Sequence, residues 1–407
     1  MSDSPSSSAA APSSAPLHLA VALDGAGRHP AAWREPGGRP EALFTARYWA
    51  DAVAEAEAGL LDFVTFEDGL CLQSSSPEGP DGRTDRVRGR LDAVLTAARV
   101  APLTRHIGLV PSVTATHTEP FHVSKAIATL DHVSRGRAGL HVQISGLPHE
   151  AAHFGRRTPP LPAAELYDEA ADHIEVVRRL WDSWEDGAEI RDVATGRFVD
   201  RDKLHYIDFE GRHFSVRGPS ITPRPPQGQP LVSAGGVAAG AEASHRLVAR
   251  SADIGYVAAR GAEGFRTAAA AIRRLREGAG PGPEPLHLFG DLTVFLDRDA
   301  AAAADRKGRL DALAGHPFED DTEVFTGTPA HLADLLAERQ EAGLSGFRLR
   351  PGATAHDLPA VTRGLVPELQ RRGLFRRAYG AGTLRGLLGL ERPANRYAAR
   401  PSASPAA

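Results

Sequence analysis

The sequence predicts an α/β protein, a single (β/α)8 TIM barrel with a large insertion after its fourth strand. Short apolar runs alternate with longer amphipathic stretches along most of the chain, the mark of repeated strand–helix units around a parallel sheet. Eight such runs can be read. The 407 residues are 42% hydrophobic, enough apolar material for one barrel with extra segments.

Residues 17–23 (LHLAVAL) read as the first strand, and 48–58 as a helix ended by Gly59. The second strand is 62–66. A polar loop follows at 73–89, rich in Ser, Pro, Gly and charge, of the kind that in barrel enzymes carries function or moves. A helix at 91–99 leads to strand three at 107–113, and a helix at 123–130 to strand four at 138–144. There the alternation breaks. A helix at 164–184 and a long segment to 226 separate strand four from strand five at 230–234. Strands six to eight are expected at 254–257, 286–296 and 346–349, each after a helical pattern. The barrel domain is thus 17–393, between Ser-, Ala- and Pro-rich tails at 1–16 and 394–407 that read as disordered.

Net charge is −4, with Lys and Arg scattered, so the basic footprint of a nucleic-acid binder is missing and a small-molecule substrate is the better expectation. The one cysteine, Cys71, excludes an intramolecular disulfide and a multi-cysteine zinc site. No segment has the character of a signal peptide or a membrane span, which predicts a cytoplasmic protein.

In a parallel barrel the carboxyl ends of the strands converge on one mouth, where functional side chains belong. Asp24, Asp68, Thr114 to His117, Ser145, Gly235 and Gly236 fall there. His29, just beyond strand one, is the candidate catalytic acid or base, because an ordinary histidine titrates near neutral pH; the alternative is a turn residue holding Trp33 and Arg34. His141, inside strand four, reads as a core histidine. No set of histidines and acids has metal-ligand spacing: His117 and His122 lack a third partner. The stretch 27–38 does not follow the nicotinamide-binding glycine pattern.

Several motifs in a fixed order carry a family resemblance. They are HPAAWR at 29–34, LDFVTFEDG at 61–69, RHIGLVPSVTATHTEPFH at 105–122, ATLDHVSRGRAG at 128–139, LWDSWE at 180–185, PRPPQGQP at 223–230 and VPELQRRGLF at 366–375. Together they resemble the nitrilotriacetate monooxygenase branch of the bacterial luciferase-like flavin-dependent monooxygenases. The resemblance implies an enzyme that takes reduced FMN (FMNH2) from a separate flavin reductase, inserts one oxygen atom of O2 into a small organic substrate, and works as a homodimer. It implies flavin contacts from Asp68, from Thr114 (with Thr116 a near competitor) and from Tyr167, and a phosphate site at the turn after strand five, Gly235 and Gly236. The chain departs from the family's pattern twice. Ala163 stands where a histidine is expected, and Val237 where a serine is, leaving Ser244, His245 and Arg246 as substitutes. Loops 73–89 and 146–162 are the expected covers of the pocket. Two other readings stay open: an F420-dependent oxidoreductase on the same barrel, and a flavin-free barrel serving as a binding or partner subunit.

Overall fold

The computed structural model describes residues 16–74, 76, 79–157, 162–236, 241–278 and 285–398. The expected amino-terminal tail lies almost wholly outside these, as do Val237 and part of each expected cover loop.

Eight parallel strands close into a barrel. They are β1 (His18–Leu23), β2 (Phe63–Phe66), β3 (Gly108–Thr114), β4 (Gly139–Gln143), β9 (Leu231–Gly235), β10 (Ile254–Val257), β11 (His287–Leu296) and β13 (Gly346–Pro351). Between β4 and β9 two short hairpins intervene, β5 (Glu189–Asp192) with β6 (Arg197–Val199) and β7 (Phe209–Glu210) with β8 (Ser215–Val216). The strands are almost entirely buried, as expected of a parallel sheet covered by helices.

The four short hairpin strands were not anticipated, nor was one further parallel strand. β12 (Glu323–Gly327) pairs in parallel with the upper half of β11, from Leu292 to Leu296, where β10 has already left its own pairing at Gly290. β12 is short and only half-buried, so it lacks the apolar run that marks the others.

The outer helices are α1 (Ala46–Ala58), α2 (Ala93–Val100), α3 (Pro120–Ser134), α4 (Pro148–Phe154), α5 (Ala163–Asp182), α6 (Ala241–Ser251), α7 (Gly261–Gly278), α8 (Ala300–Ala314), α9 (Pro329–Glu341), α10 (Thr354–Ala360), α11 (Val366–Arg371) and α12 (Leu384–Leu387). Local chemistry sets their starts. Asp92 accepts from the Leu95 amide at α2, Asp299 from Ala302 at α8, and Thr328 from His331 at α9, where Pro329 opens the helix. α1 buries Tyr48, Trp49, Val53 and Ala56, a helical stripe against the barrel. Among the described residues no helix is long and apolar enough to cross a membrane.

The insertion after β4 is where expected, but 146–162 is not all loop, since it contains α4. The most distinctive motifs are its joints. Trp181 is buried and donates to the Ser124 carbonyl, Trp184 donates to Ser220, and Arg224 bonds Asp182 at 3.0 Å. Gln227 ties Asp131 and the Ala138 carbonyl to the backbone of Arg385.

The carboxyl-terminal segment seals the amino-terminal end of the barrel. Leu384, Leu388 and Leu390 pack among Ala20, Phe63, Val110, Leu231, Ile254 and Phe289. The body continues past 393: Asn395 is buried, its side-chain amide donating to the carbonyls of Asp182 and Trp184, and Tyr397 stacks on His205. Residues 394–398 therefore belong to the folded unit, because those carbonyls at the end of α5 need a donor.

Candidate active site

At the carboxyl rim a cavity of about 400 Å3 opens between the turn after β1, the end of β2 and the segment that follows β2. That is within the roughly 300–1,000 Å3 usual for ligand pockets. Its wall combines apolar Leu43, Trp49 and Leu147 with charged Arg28, Glu67 and Arg90. Gly25 on the wall has φ +55, and a Cβ there would meet nothing within 4 Å, so the backbone itself faces the open space.

Below this cavity the barrel interior is charged, where most barrels pack branched apolar residues. Arg348 makes two hydrogen bonds to Asp291, lies with its guanidinium 3.7 Å from the Tyr256 ring centroid, and reaches Glu67 at 3.4 Å. Glu67 also accepts from the Thr65 hydroxyl at 2.8 Å. Burial by itself would raise the Glu67 carboxyl, but Arg348, with His141, Arg350 and the Thr65 bond, holds it down to about 2. Burial and the nearby Arg348 charge push His141 down to about 4, so it is a neutral core histidine, as its strand position suggested. Beside this set, Arg28 grips Asp320 through two bonds of 3.1 and 3.2 Å, and Thr293 donates to the same carboxylate at 2.6 Å. Every buried charge here has a partner, which its desolvation requires.

The candidate residues fall into two groups. His29 is buried with both ring nitrogens in use: Nδ1 accepts from the Ala31 amide at 3.0 Å, so Nε2 carries the hydrogen and donates to Asp311 at 3.0 Å. Burial lowers its pKa despite Asp311. The ring rests edge-on against Phe295 and beside Phe318. This geometry makes His29 a brace between the β1 turn and α8, with no nitrogen left for proton transfer. Asp68 likewise spends both oxygens on backbone amides, those of Gly69 and of Ala93, the first residue of α2. It caps a helix, and burial raises its pKa.

The second group surrounds the other side of the mouth. Thr114 ends β3, buried, and its hydroxyl has no hydrogen-bond partner among the described residues, whereas the Thr116 hydroxyl is occupied by the Ser145 amide at 3.0 Å. Gly235 and Gly236 close β9 with φ +101 and +83. A Cβ on Gly235 would sit 2.5 Å from the Tyr256 carbonyl oxygen, so only glycine fits that turn. Tyr167 on α5 faces α6, where it meets Ser244 and borders a groove with Arg246. Of the substitutes named for the missing serine, Ser244 and His245 also line a second depression of about 380 Å3 at the end of β10, with Tyr256.

Sequence reasoning passed over Glu67, the arginines at 86, 88 and 90, and His149, all on the cavity wall. An arginine at every second position in RVRGR was the available signal. Cys71 also lines the wall, with burial and Glu150 pushing its thiol up to about 11, so it stays protonated. The described part of loop 73–89 is anchored: Trp33 donates to the Asp85 carbonyl, Arg83 to that of Ala314, and Arg86 meets His316 at 2.9 Å. Among the described residues no group of three or more His, Cys, Asp or Glu is placed to hold a metal ion.

A closed barrel with a half-apolar mouth cavity and glycine turns at the rim is a scaffold with room for a small molecule at its carboxyl end. Comparison with known proteins gives its family. The profile of the luciferase-like monooxygenases matches residues 26–343. N-acetyl-S-(2-succino)cysteine monooxygenase of Bacillus subtilis (strain 168) is 30% identical, over 94% of this chain and 98% of its own. Nitrilotriacetate monooxygenase component A of Aminobacter aminovorans matches at the same identity and coverage. Among solved structures, long-chain alkane monooxygenase aligns with a TM-score of 0.84 at 23% identity, over 92% of this chain and 96% of its own. EDTA monooxygenase from Chelativorans sp. BNC1 aligns at 0.79 and 23%, over 93% and 99%. The chain belongs to the luciferase-like monooxygenase family of flavin-dependent enzymes, and its relatives fit the nitrilotriacetate monooxygenase branch.

Proposed function

We propose that this protein is the oxygenase component of a two-component system. It takes reduced FMN from a separate flavin reductase, holds it at the barrel mouth, and transfers one oxygen atom of O2 to a small organic substrate. The balance is reduced FMN plus O2 plus substrate giving oxidised FMN, oxygenated substrate and water. The reading includes a homodimer, as the family resemblance implies, and a cytoplasmic location, the expectation drawn from the sequence. The observation that carries it is the rim cavity of about 400 Å3 in a chain of this family.

The residues present suit such a cofactor. The turn at Gly235 and Gly236 brings the backbone to the rim without side chains, the Gly236 amide being given to the Tyr256 carbonyl at 3.0 Å; Tyr167 with Ser244 stands beside the helix that follows, and Thr114 has a hydroxyl to offer. Bound flavin supplies the oxygen-activating chemistry. The chain's own part is to orient both molecules and keep water out. The described part of the 73–89 segment, with Phe44, Leu72 and Leu147, lines the cavity and is anchored beside it. His29 and Asp68 act as positioning residues, the first bracing the β1 turn and the second fixing the end of β2 to α2.

A stopped-flow experiment tests the reading. Enzyme premixed with reduced FMN is mixed with oxygenated buffer while flavin absorbance is followed. A reoxidation markedly slower than that of free reduced FMN, with little hydrogen peroxide, is the expected result. Reoxidation at the free-flavin rate with stoichiometric peroxide would overturn it.

A further inference from the structure

The cavity wall carries a cluster of guanidiniums that the flavin chemistry leaves without a task. Arg86, Arg88 and Arg90 lie within five residues and all line the cavity, as does Arg28. Arg28 is consumed by Asp320, and Arg88 by Asp81. Arg90 differs. Its side chain is about four-fifths buried, yet it makes no hydrogen bond to any described residue, its nearest carboxylate is Asp24 at 3.7 Å, and its Nε is buried without a partner. Asp24 is itself shared with Arg28 at 3.8 Å. Among the described residues Arg86 meets His316, through Nη2, and its Nε is buried unpartnered. Nη1 of Arg88 is in the same condition, as is Nδ1 of His149 across the cavity.

Unmet buried donors are unfavourable unless something accepts from them, and a guanidinium answers best to a planar two-oxygen acceptor. The segment is also held in place. Gln73 receives the Gly89 amide and donates to the Gly89 carbonyl, both at 2.9 Å, which fixes the backbone between Arg88 and Arg90. Glu67, the other acid on the wall, faces Arg348 and so does not neutralise this side. The result is a preformed cationic wall beside an apolar one of Leu43, Trp49 and Leu147.

We propose that this wall is the substrate subsite, and that it selects a small organic acid whose carboxylate is gripped by Arg90 with support from Arg86 and the free donor of Arg88. The assignment deepens the monooxygenase reading by naming the substrate class of the same mouth. The shared chemistry of a carboxylate and of the FMN phosphate has to be separated, and the test does so.

Tricarballylate, its neutral triamide and inorganic phosphate are titrated into flavin-free enzyme, with thermal unfolding and tryptophan fluorescence as readouts; Trp49 lines the cavity. The expected result is saturable stabilisation by the acid, none by the triamide, and no competition between inorganic phosphate and tricarballylate at equal concentration. Arg90→Gln is expected to weaken the acid at least about tenfold, the loss of one charge-assisted bond, with Arg90→Lys recovering part of it and FMN affinity within about twofold of the parent. Should Arg90→Gln fail to fold, Arg86→Gln, whose side chain meets His316, carries the same comparison at smaller amplitude. Equal response to acid and triamide, or no response to either, overturns the proposal. So does an Arg90→Gln variant that loses FMN affinity to the same degree as acid affinity, because the arginine would then serve the cofactor phosphate. Acid binding without any FMN binding would instead sink the monooxygenase reading and leave the subsite standing.

Discussion

Arg348 and Asp291 are directly opposed partners on neighbouring strands, β13 and β11, and their side chains meet inside the barrel in two hydrogen bonds of 2.8 and 2.6 Å. Neither is exposed by more than a few per cent. The pair is more informative when broken than when counted, because removing one member strands a buried charge. Asp291→Ala is expected to lower unfolding free energy by about 3–5 kcal/mol. The double variant Asp291→Leu with Arg348→Met removes the stranded guanidinium but leaves buried Glu67 without Arg348, so it is expected to regain only part of that loss. Urea melts of the three proteins decide; a single variant as stable as the parent would mean that the freed guanidinium finds another acceptor.

Stability is expected to fall as pH drops below about 6.5. Burial is the first cause that lowers the pKa of His29, His141, His173 and His287, the last three to about 4. The unfolded chain takes up these protons near 6.5, but the folded one does not until much lower. Their contribution is therefore complete above 6.5 and is lost as pH falls from there toward 4. Each adds a slope of about 1.4 kcal/mol per pH unit in that window. His173, buried in α5 and not on the cavity wall, is the probe: His173→Gln should flatten the pH 7 to 5 loss by one such slope in denaturant melts. Glu67 and Asp320, both held to about 2, add a second loss as pH falls from their ordinary values of 4.5 and 3.8 toward 2.

Two glycines separate scaffold from cavity. A Cβ on Gly235 runs into the Tyr256 backbone, whereas one on Gly25 enters open space, both at positive φ. Gly235→Ala should lose about 1–3 kcal/mol or more, from strain plus clash, and FMN affinity with it. Gly25→Ala should lose less stability, about 1–2 kcal/mol for a left-handed non-glycine residue, while perturbing ligand binding from the cavity wall. Thermal melts with and without FMN measure both; equal stability losses would contradict the distinction.

Leu384 is fully buried at the sealed end of the barrel, against the β3 and β4 glycines Gly108 and Gly139. Leu384→Ala is expected to lower unfolding free energy by about 2–5 kcal/mol, with the FMN dissociation constant unchanged. A change in that constant would show the two ends to be coupled.

Much of the scaffold was legible because parallel strands buried on both faces appear as continuous apolar runs, and all eight barrel strands lie within a few residues of their expected positions. β12 escaped since its residues are only half-buried and it begins where another strand stops. The motifs that revealed the family report architecture: Trp181, Trp184, Arg224 and Gln227 knit the insertion to the barrel. The site was less legible. Glu67 meets Arg348 across 281 positions of sequence, a partnership no local pattern can announce. His29 and Asp68 had the right residue types at the right strand ends, but backbone amides had already claimed them.

The cork formed by Leu384, Leu388 and Leu390 stands at the opposite end of the barrel from the rim cavity. A tether or label placed on that closed face is therefore kept a barrel's length from whatever binds at the mouth.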